Sequence, residues 1–522
     1  MRQKRSPASA GDLGEPNLRT LRQRRPNAAG SLTLLLMGGG AQSLLRLTFA
    51  ALTARLVSPA DTGVFQLALS VVLVMSALAD PALTEATVRR GSQTSRSRST
   101  FFWVNLVLAL AIALSIIAAS PRIVDWLGEP QARPLLVALA VMPVIAALAL
   151  GPFVELRRAH RFRDIALVET LACFAGCIAG AVIAFNGGGG WALFAYQLGW
   201  ASVRLAASTA LVPLTPRLAF DARALRHALR FSVKVWASRL TLVLAGQLDK
   251  LIVGALLGAS VLGLYSRAAL FLSLPLALIA GAAATVLVPS LARHRGAPPR
   301  LQEEFLAATS LIGTLTFPAF VGAAAMAEPL VGALLGHGKT WEWSGVATLL
   351  AVMAPAAALD SLVHPQRSLL VAQGRVGAAM VLSMLGAGLL LSAIALGARQ
   401  GLEGVAWGYV AATTLTFSLF TSVTLFGLKL PVTQYVRSIG RIVLTTLAMS
   451  AAIVVARRGL AAMDVADPIQ LACLAALGAL VYALCLGRRR LASLAGLLRS
   501  RRGSAEALPF DLGDQPPGQA QA

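Results

Sequence analysis

Nine ionisable residues stand inside long apolar runs of this 522-residue chain: Arg46, Glu169, Arg204, Lys234, Arg239, Asp249, Lys250, Arg267 and Asp360. A charge at the middle of a bilayer costs about 2.5–3.5 kcal/mol on insertion scales unless water or a partner meets it, so each position needs a role. The chemistry they suit is anion binding. An arginine fork holds two phosphate oxygens at once, and cations spaced along a path draw in a phosphorylated or acidic ligand. Arg46 lies near the middle of its run with no carboxylate at its depth and is the leading candidate. Arg204, Arg239, Arg267 and Lys250 complete the candidate cavity cations. The acids read two ways. Asp249 pairs with Lys250 or Arg267, or couples transport to an ion; Glu169 locks Arg204 across adjacent helices, or takes part in coupling. Asp360 is a coupling residue or a neutral hydrogen-bonding one. Lys234 is near enough to the inner interface to snorkel.

Covalent chemistry has no such support. The fragment GALLGHGKT misses the phosphate-cradling spacing, because the glycine it needs at 333 is Ala333, and no strand precedes it. His160, His227, His294, His337 and His364 are scattered through loops without metal or nucleophile spacing. Cys173, Cys177, Cys473 and Cys485 fall in apolar runs, where they read as packing residues. No metal site and no cofactor is expected. The longest expected external loop, Glu328 to Glu342, is too short to hold the substrates of a membrane glycan ligase. The chain therefore reads as a transporter.

The elements that must position these charges are membrane helices. The composition is 57% hydrophobic and 13% charged, with charge confined to islands between apolar runs of about 18–25 residues. A net charge of +23 would suit nucleic acid, but the basic residues gather in alternate loops, as the positive-inside rule requires. The pattern predicts an all-α polytopic inner-membrane protein of about fourteen transmembrane helices with both termini cytoplasmic. Residues 1–30 form a basic cytoplasmic tail and 31–212 a first lobe of helices 1–6. A connector at 213–230 leads to a second lobe of helices 7–12 at 231–428. Helices 13 and 14 follow at 429–487, and a basic, then disordered, tail at 488–522. Within the connector, DARALRHALR has arginines at amphipathic spacing and is expected to lie on the inner membrane surface.

Two stretches echo one another 200 residues apart. With Gly63 set against Gly263, LTARLVSPADTGVFQLA aligns with the QLDKLIVGALLGASVLGLYSR region. Each joins one apolar run to the next through a turn, so the chain reads as two similar halves. Asp61 or Thr62 can cap the helix after the first turn, and Gly258 with Ser260 can do the same work in the second.

These stretches, with VLVPSLARH, LLGHGKTWEWSGVATLLAV and LLVAQGR, resemble the bacterial polysaccharide flippases, the Wzx-type oligosaccharide-lipid family, over roughly residues 31–486. The resemblance implies the superfamily of multidrug and oligosaccharidyl-lipid exporters. Its fold is two pseudo-symmetric six-helix lobes around a central cavity, here with two further C-terminal helices. It also implies translocation of an undecaprenyl-pyrophosphate-linked oligosaccharide from the inner to the outer leaflet, driven by an ion gradient, alongside polysaccharide polymerase or export machinery. The family's cavity residues vary with the sugar, so the site residues above rest on this chain's own charges. An ion-coupled multidrug or metabolite extruder of the same fold is the nearest alternative. Its usual cationic substrates suit a cavity containing Arg46 poorly.

Overall fold

The computed structural model describes residues 28–79, 95–159, 161–213, 216–294, 297–336, 342–463 and 465–486. The C-terminal tail and nearly all of the N-terminal tail expected from the sequence lie outside them, as do His337 to Thr340 of the GALLGHGKT fragment. Among the described residues the regular elements are all helical. Lipid offers backbone groups no hydrogen bonds, and a helix satisfies them within its own segment. The first half holds α1 (Ala28–Leu56), α2 (Pro59–Ala79), α3 (Ser95–Leu127), α4 (Ala132–Leu139), α5 (Val141–Arg158), α6 (Phe162–Phe185) and α7 (Trp191–Leu211). The second holds α8 (Ala222–Arg293), α9 (Pro298–Ala325), α10 (Ala327–Leu335), α11 (Ser344–Ala372), α12 (Val376–Gly397) and α13 (Gly401–Leu428). The last two helices are α14 (Val432–Ala462) and α15 (Asp467–Leu486).

Ten helical stretches among the described residues are long and apolar enough to cross a membrane. One of them, Val376–Leu428, contains both α12 and α13, and another, Val243–Ser273, straddles a break in α8. Ten is thus compatible with the fourteen crossings expected.

The halves pack alike. In the first, α1 lies on α6, α3 and α7 on α5, and α6 on α7; in the second, α8 lies on α12, α9 and α13 on α11, and α12 on α13. The short α4 ahead of α5 is matched by the short α10 ahead of α11. That last match corrects the sequence reading, which placed an external loop from Glu328 and missed α10. DARALRHALR forms the first turns of α8, which runs unbroken from Ala222 to Gly258. Asp221 caps its start by accepting from the Ala224 amide (3.0 Å), and the Asp221 amide donates to Thr100 Oγ1 on α3 (2.8 Å).

The two echoing turns meet. A Cβ at Gly63 would sit 1.7 Å from the Ala259 carbonyl oxygen, and one at Gly263 would sit 1.9 Å from that of Pro59. Each glycine lies under the other copy's turn, the reciprocity of a pseudo-two-fold axis. The first turn is capped by Ser58, whose Oγ accepts from the Asp61 amide (3.0 Å) and donates to Asp61 Oδ2 (2.7 Å). Asp61 is thus the partner of the cap, while Thr62 Oγ1 is buried without a partner.

Replacing Gly63 by Ala must push backbone from backbone, a cost of about 1–3 kcal/mol. The detergent-purified Gly63→Ala protein is expected to melt several degrees below wild type, whereas Gly40→Ala, with nothing within 4 Å, does not; a thermal melt of both variants checks this.

Candidate functional site

Arg46 is exposed on α1, nearly opposite Leu44, which is also exposed. Its guanidinium lies against Cys173 of α6 and Tyr196 of α7. Around it α1 is held closely. Phe49 stacks on Tyr196 at 4.8 Å between ring centroids, and Gly180 leaves room for the Phe49 ring. Cys173 Sγ reaches the Gln42 carbonyl at 3.9 Å and Cys177 Sγ that of Leu45 at 3.7 Å. Both thiols serve as weak donors along the α1–α6 seam. Among the described residues no carboxylate forms an ion pair with Arg46.

Arg204 is enclosed. Its Nε stands 3.0 Å from Glu169 Oε1 across the α6–α7 seam. Its guanidinium lies 4.2 Å from the Phe153 ring centroid and 5.1 Å from that of Trp200. Desolvation strengthens both the ion pair and the cation–π contacts.

The echo block carries three candidates with different surroundings. Asp249 is buried, and its Oδ2 accepts from Tyr265 OH (2.8 Å). Lys250 is within electrostatic reach of it. Lys250 Nζ donates to Gln247 Oε1 (3.3 Å), which also accepts from Ser70 Oγ (3.2 Å); Ser70 Oγ in turn accepts from Gln66 Nε2 (3.4 Å). This polar chain crosses from α2 to α8, one half to the other. Arg267 is only 5% exposed. It donates to the Ala50 carbonyl (3.3 Å) and Thr53 Oγ1 (3.0 Å) of α1 and lies over Trp343 at 5.5 Å. Trp343 Nε1 donates to the Ala54 carbonyl (2.8 Å). Arg267 therefore ties the second half to α1 and, among the described residues, forms no ion pair with Asp249.

Asp360 belongs to a further cluster. His364 and Arg367 follow it on α11 at i+4 and i+7 and lie within its electrostatic reach. Tyr409 of α13 is within reach of both Asp360 and Asp249, so this polar core spans α8, α11 and α13. The sequence reading left His364 in a loop. In the structure α11 continues to Ala372, past Pro365. Tyr196, Tyr265 and Tyr409 were missed because nothing in their spacing distinguishes them from ordinary apolar packing. The side chains of Lys234 and Arg239 lie outside the described residues.

Residues 52–346 match the family described as polysaccharide biosynthesis protein. The succinoglycan biosynthesis transport protein ExoT of Rhizobium meliloti is 28% identical over 293 residues, 56% of this chain and 59% of that protein. The teichuronic acid biosynthesis protein TuaB of Bacillus subtilis is 25% identical over 70% of this chain and 75% of its own length. The lipopolysaccharide biosynthesis protein WzxC of Escherichia coli is 24% identical over 72% and 75%. Among solved structures, the lipid II flippase MurJ in its inward closed conformation superposes with a TM-score of 0.71. That match covers 87% of this chain and 98% of MurJ at 15% identity, a likeness of fold.

Removing one partner of the Glu169–Arg204 pair strands the other in the membrane. Glu169→Ala and Arg204→Ala are each expected to destabilise the folded protein by about 1–3 kcal/mol, and the double variant by less than their sum; melting temperatures of the three variants give the coupling.

Proposed function

The chain belongs to the polysaccharide biosynthesis protein family, and from that premise we propose that it flips an undecaprenyl-pyrophosphate-linked oligosaccharide across the inner membrane by alternating access. The protein is a multi-pass membrane transporter of polysaccharide synthesis. Arg46 carries the finer reading. An arginine exposed along an apolar helix, its guanidinium against a thiol and a phenol and with no ion pair among the described residues, is costly unless an anion visits it. The pyrophosphate of the lipid carrier offers oxygens that its fork can hold two at a time.

In this mechanism residues 31–212 and 231–428 are the two lobes, joined through 213–230, with both termini cytoplasmic. The pyrophosphate and glycan enter between the lobes while the polyprenyl tail stays in lipid. Arg46 binds the pyrophosphate from the first lobe. Lys250, at the end of the α2–α8 polar chain, binds it from the second, and Arg239 remains a candidate beside it. Arg204 and Arg267 keep structural parts, the one locking α6 to α7 and the other holding α8 to α1. Asp249 and Asp360, both within electrostatic reach of Tyr409, are the groups for a coupling cation. Rocking of the lobes then presents the head to the other leaflet, where polymerase or export machinery receives it.

Undecaprenyl pyrophosphate alone tests the site. Its affinity for the purified protein is expected to fall about tenfold or more in Arg46→Ala and to recover in part in Arg46→Lys, which restores the charge without the fork. Equal binding by wild type and Arg46→Ala would remove Arg46 from the site.

A further inference from the structure

The two echoing turns pack alike but are capped differently. The first caps itself through Ser58 and Asp61. The second has no side chain at the corresponding point. Gly258 takes φ 84° and ψ 172°, a conformation open to glycine and strained for other residues. The amide that follows it, on Ala259, begins the second part of α8 and donates to Glu129 Oε1 at 3.0 Å. Sequence reading assigned this cap to Gly258 and Ser260; the structure takes it from the other half of the molecule.

Glu129 is firmly placed to do this. Gly128, at φ 68°, turns the chain back at the end of α3. The Gly128 amide donates to the Asp125 carbonyl and the Glu129 amide to that of Val124, both at 3.3 Å. On the other side the Ala132 amide donates to the Glu129 carbonyl (3.0 Å) as α4 begins, and α4 packs on α2. The Glu129 backbone is thus fixed to the first half at both ends, while its carboxylate reaches the second.

We infer that Glu129 is a positioning residue of the transport cycle, a helix cap lent by the first half to the second that latches the two halves together at the end of the bundle where the echoing turns meet. This rests on the alternating-access reading above. A carboxylate at a helix N-terminus gains from the helix dipole as well as from a charge-assisted hydrogen bond. The other side-chain ties between the halves at this end, among the described residues, run to uncharged acceptors. Arg267 donates to Ala50 and Thr53, Trp343 to Ala54, and Arg55 to the Ala333 carbonyl. Separating the halves leaves the Ala259 amide without its cap, because Gly258 offers nothing in exchange. The self-capped first turn loses nothing by the same movement. Among the described residues, Glu129 is therefore the charged acceptor that opening at this end must release.

Distances between spin labels test the latch. Labels are placed on the full-length protein at exposed Trp126 and Leu396, one in each half, with the four native cysteines replaced by alanine, and the protein is reconstituted in lipid nanodiscs. Glu129→Ala is expected to raise the population with separated labels on the order of tenfold. Glu129→Gln, which keeps a neutral acceptor, falls between Ala and wild type. Asp61→Ala, which takes away the acceptor of the Ser58 hydroxyl in the first turn without touching the crossing bond, keeps the wild-type distribution. A wild-type distribution in Glu129→Ala, or an equal shift in Asp61→Ala, would overturn the latch. The measurement needs no substrate, so it stands or falls separately from glycolipid transport.

Discussion

Two backbone oxygens set how closely the halves approach. The Ala259 carbonyl lies where a side chain at position 63 would begin, and the Pro59 carbonyl where one at 263 would. Helices that meet without side chains between them gain dispersion contacts that lipid tails cannot replace, and in a bilayer this packing takes the place of the hydrophobic drive that assembles soluble proteins. The rest of the interface follows from that approach. Leu67 reaches the surface of α8 beside Gly254, and both Leu67 and Leu262 are fully buried. Gln66, Ser70, Gln247 and Lys250 come into one hydrogen-bonded chain. Arg267 and Trp343 reach the backbone of α1.

The membrane charges divide by what answers them. Arg204 has a carboxylate and two aromatic rings, and Arg267 has a carbonyl, a hydroxyl and an indole. Cations so answered are fixed parts of the frame, since releasing them would leave buried polar groups on both sides without partners. Arg46 stands apart from these in being exposed beside a thiol and a phenol. Lys250 holds an amide oxygen, a modest partner that a phosphate could displace. Cations held loosely enough to exchange partners are the ones a passing anion can use.

The architecture was legible in the chain because its signals are strong ones. Apolar runs of bilayer length give the helices, and the echo about Gly63 and Gly263 gives the doubling. The Glu169–Arg204 pair was also readable, since adjacent helices carry opposite charges at similar depth. Other features were hidden by physics that spacing does not express. α11 runs on past Pro355 and Pro365 to Ala372, beyond the point where charge begins, and so carries His364 and Arg367 within reach of Asp360. The short α10 is hidden in a stretch too brief to span. Nothing local in the sequence singles out Glu129, because its partner amide lies 130 residues away.

Reconstituted vesicles carrying a labelled undecaprenyl-pyrophosphate oligosaccharide in one leaflet provide the most direct test of the central claim. The wild-type protein is predicted to deliver the label to the opposite leaflet, where an enzyme sealed on that side can reach it, and to leave an uncharged polyprenyl glycoside where it was. Movement of neither lipid, with transport of a soluble organic cation instead, would contradict the account and make the protein an extruder built on the same fold.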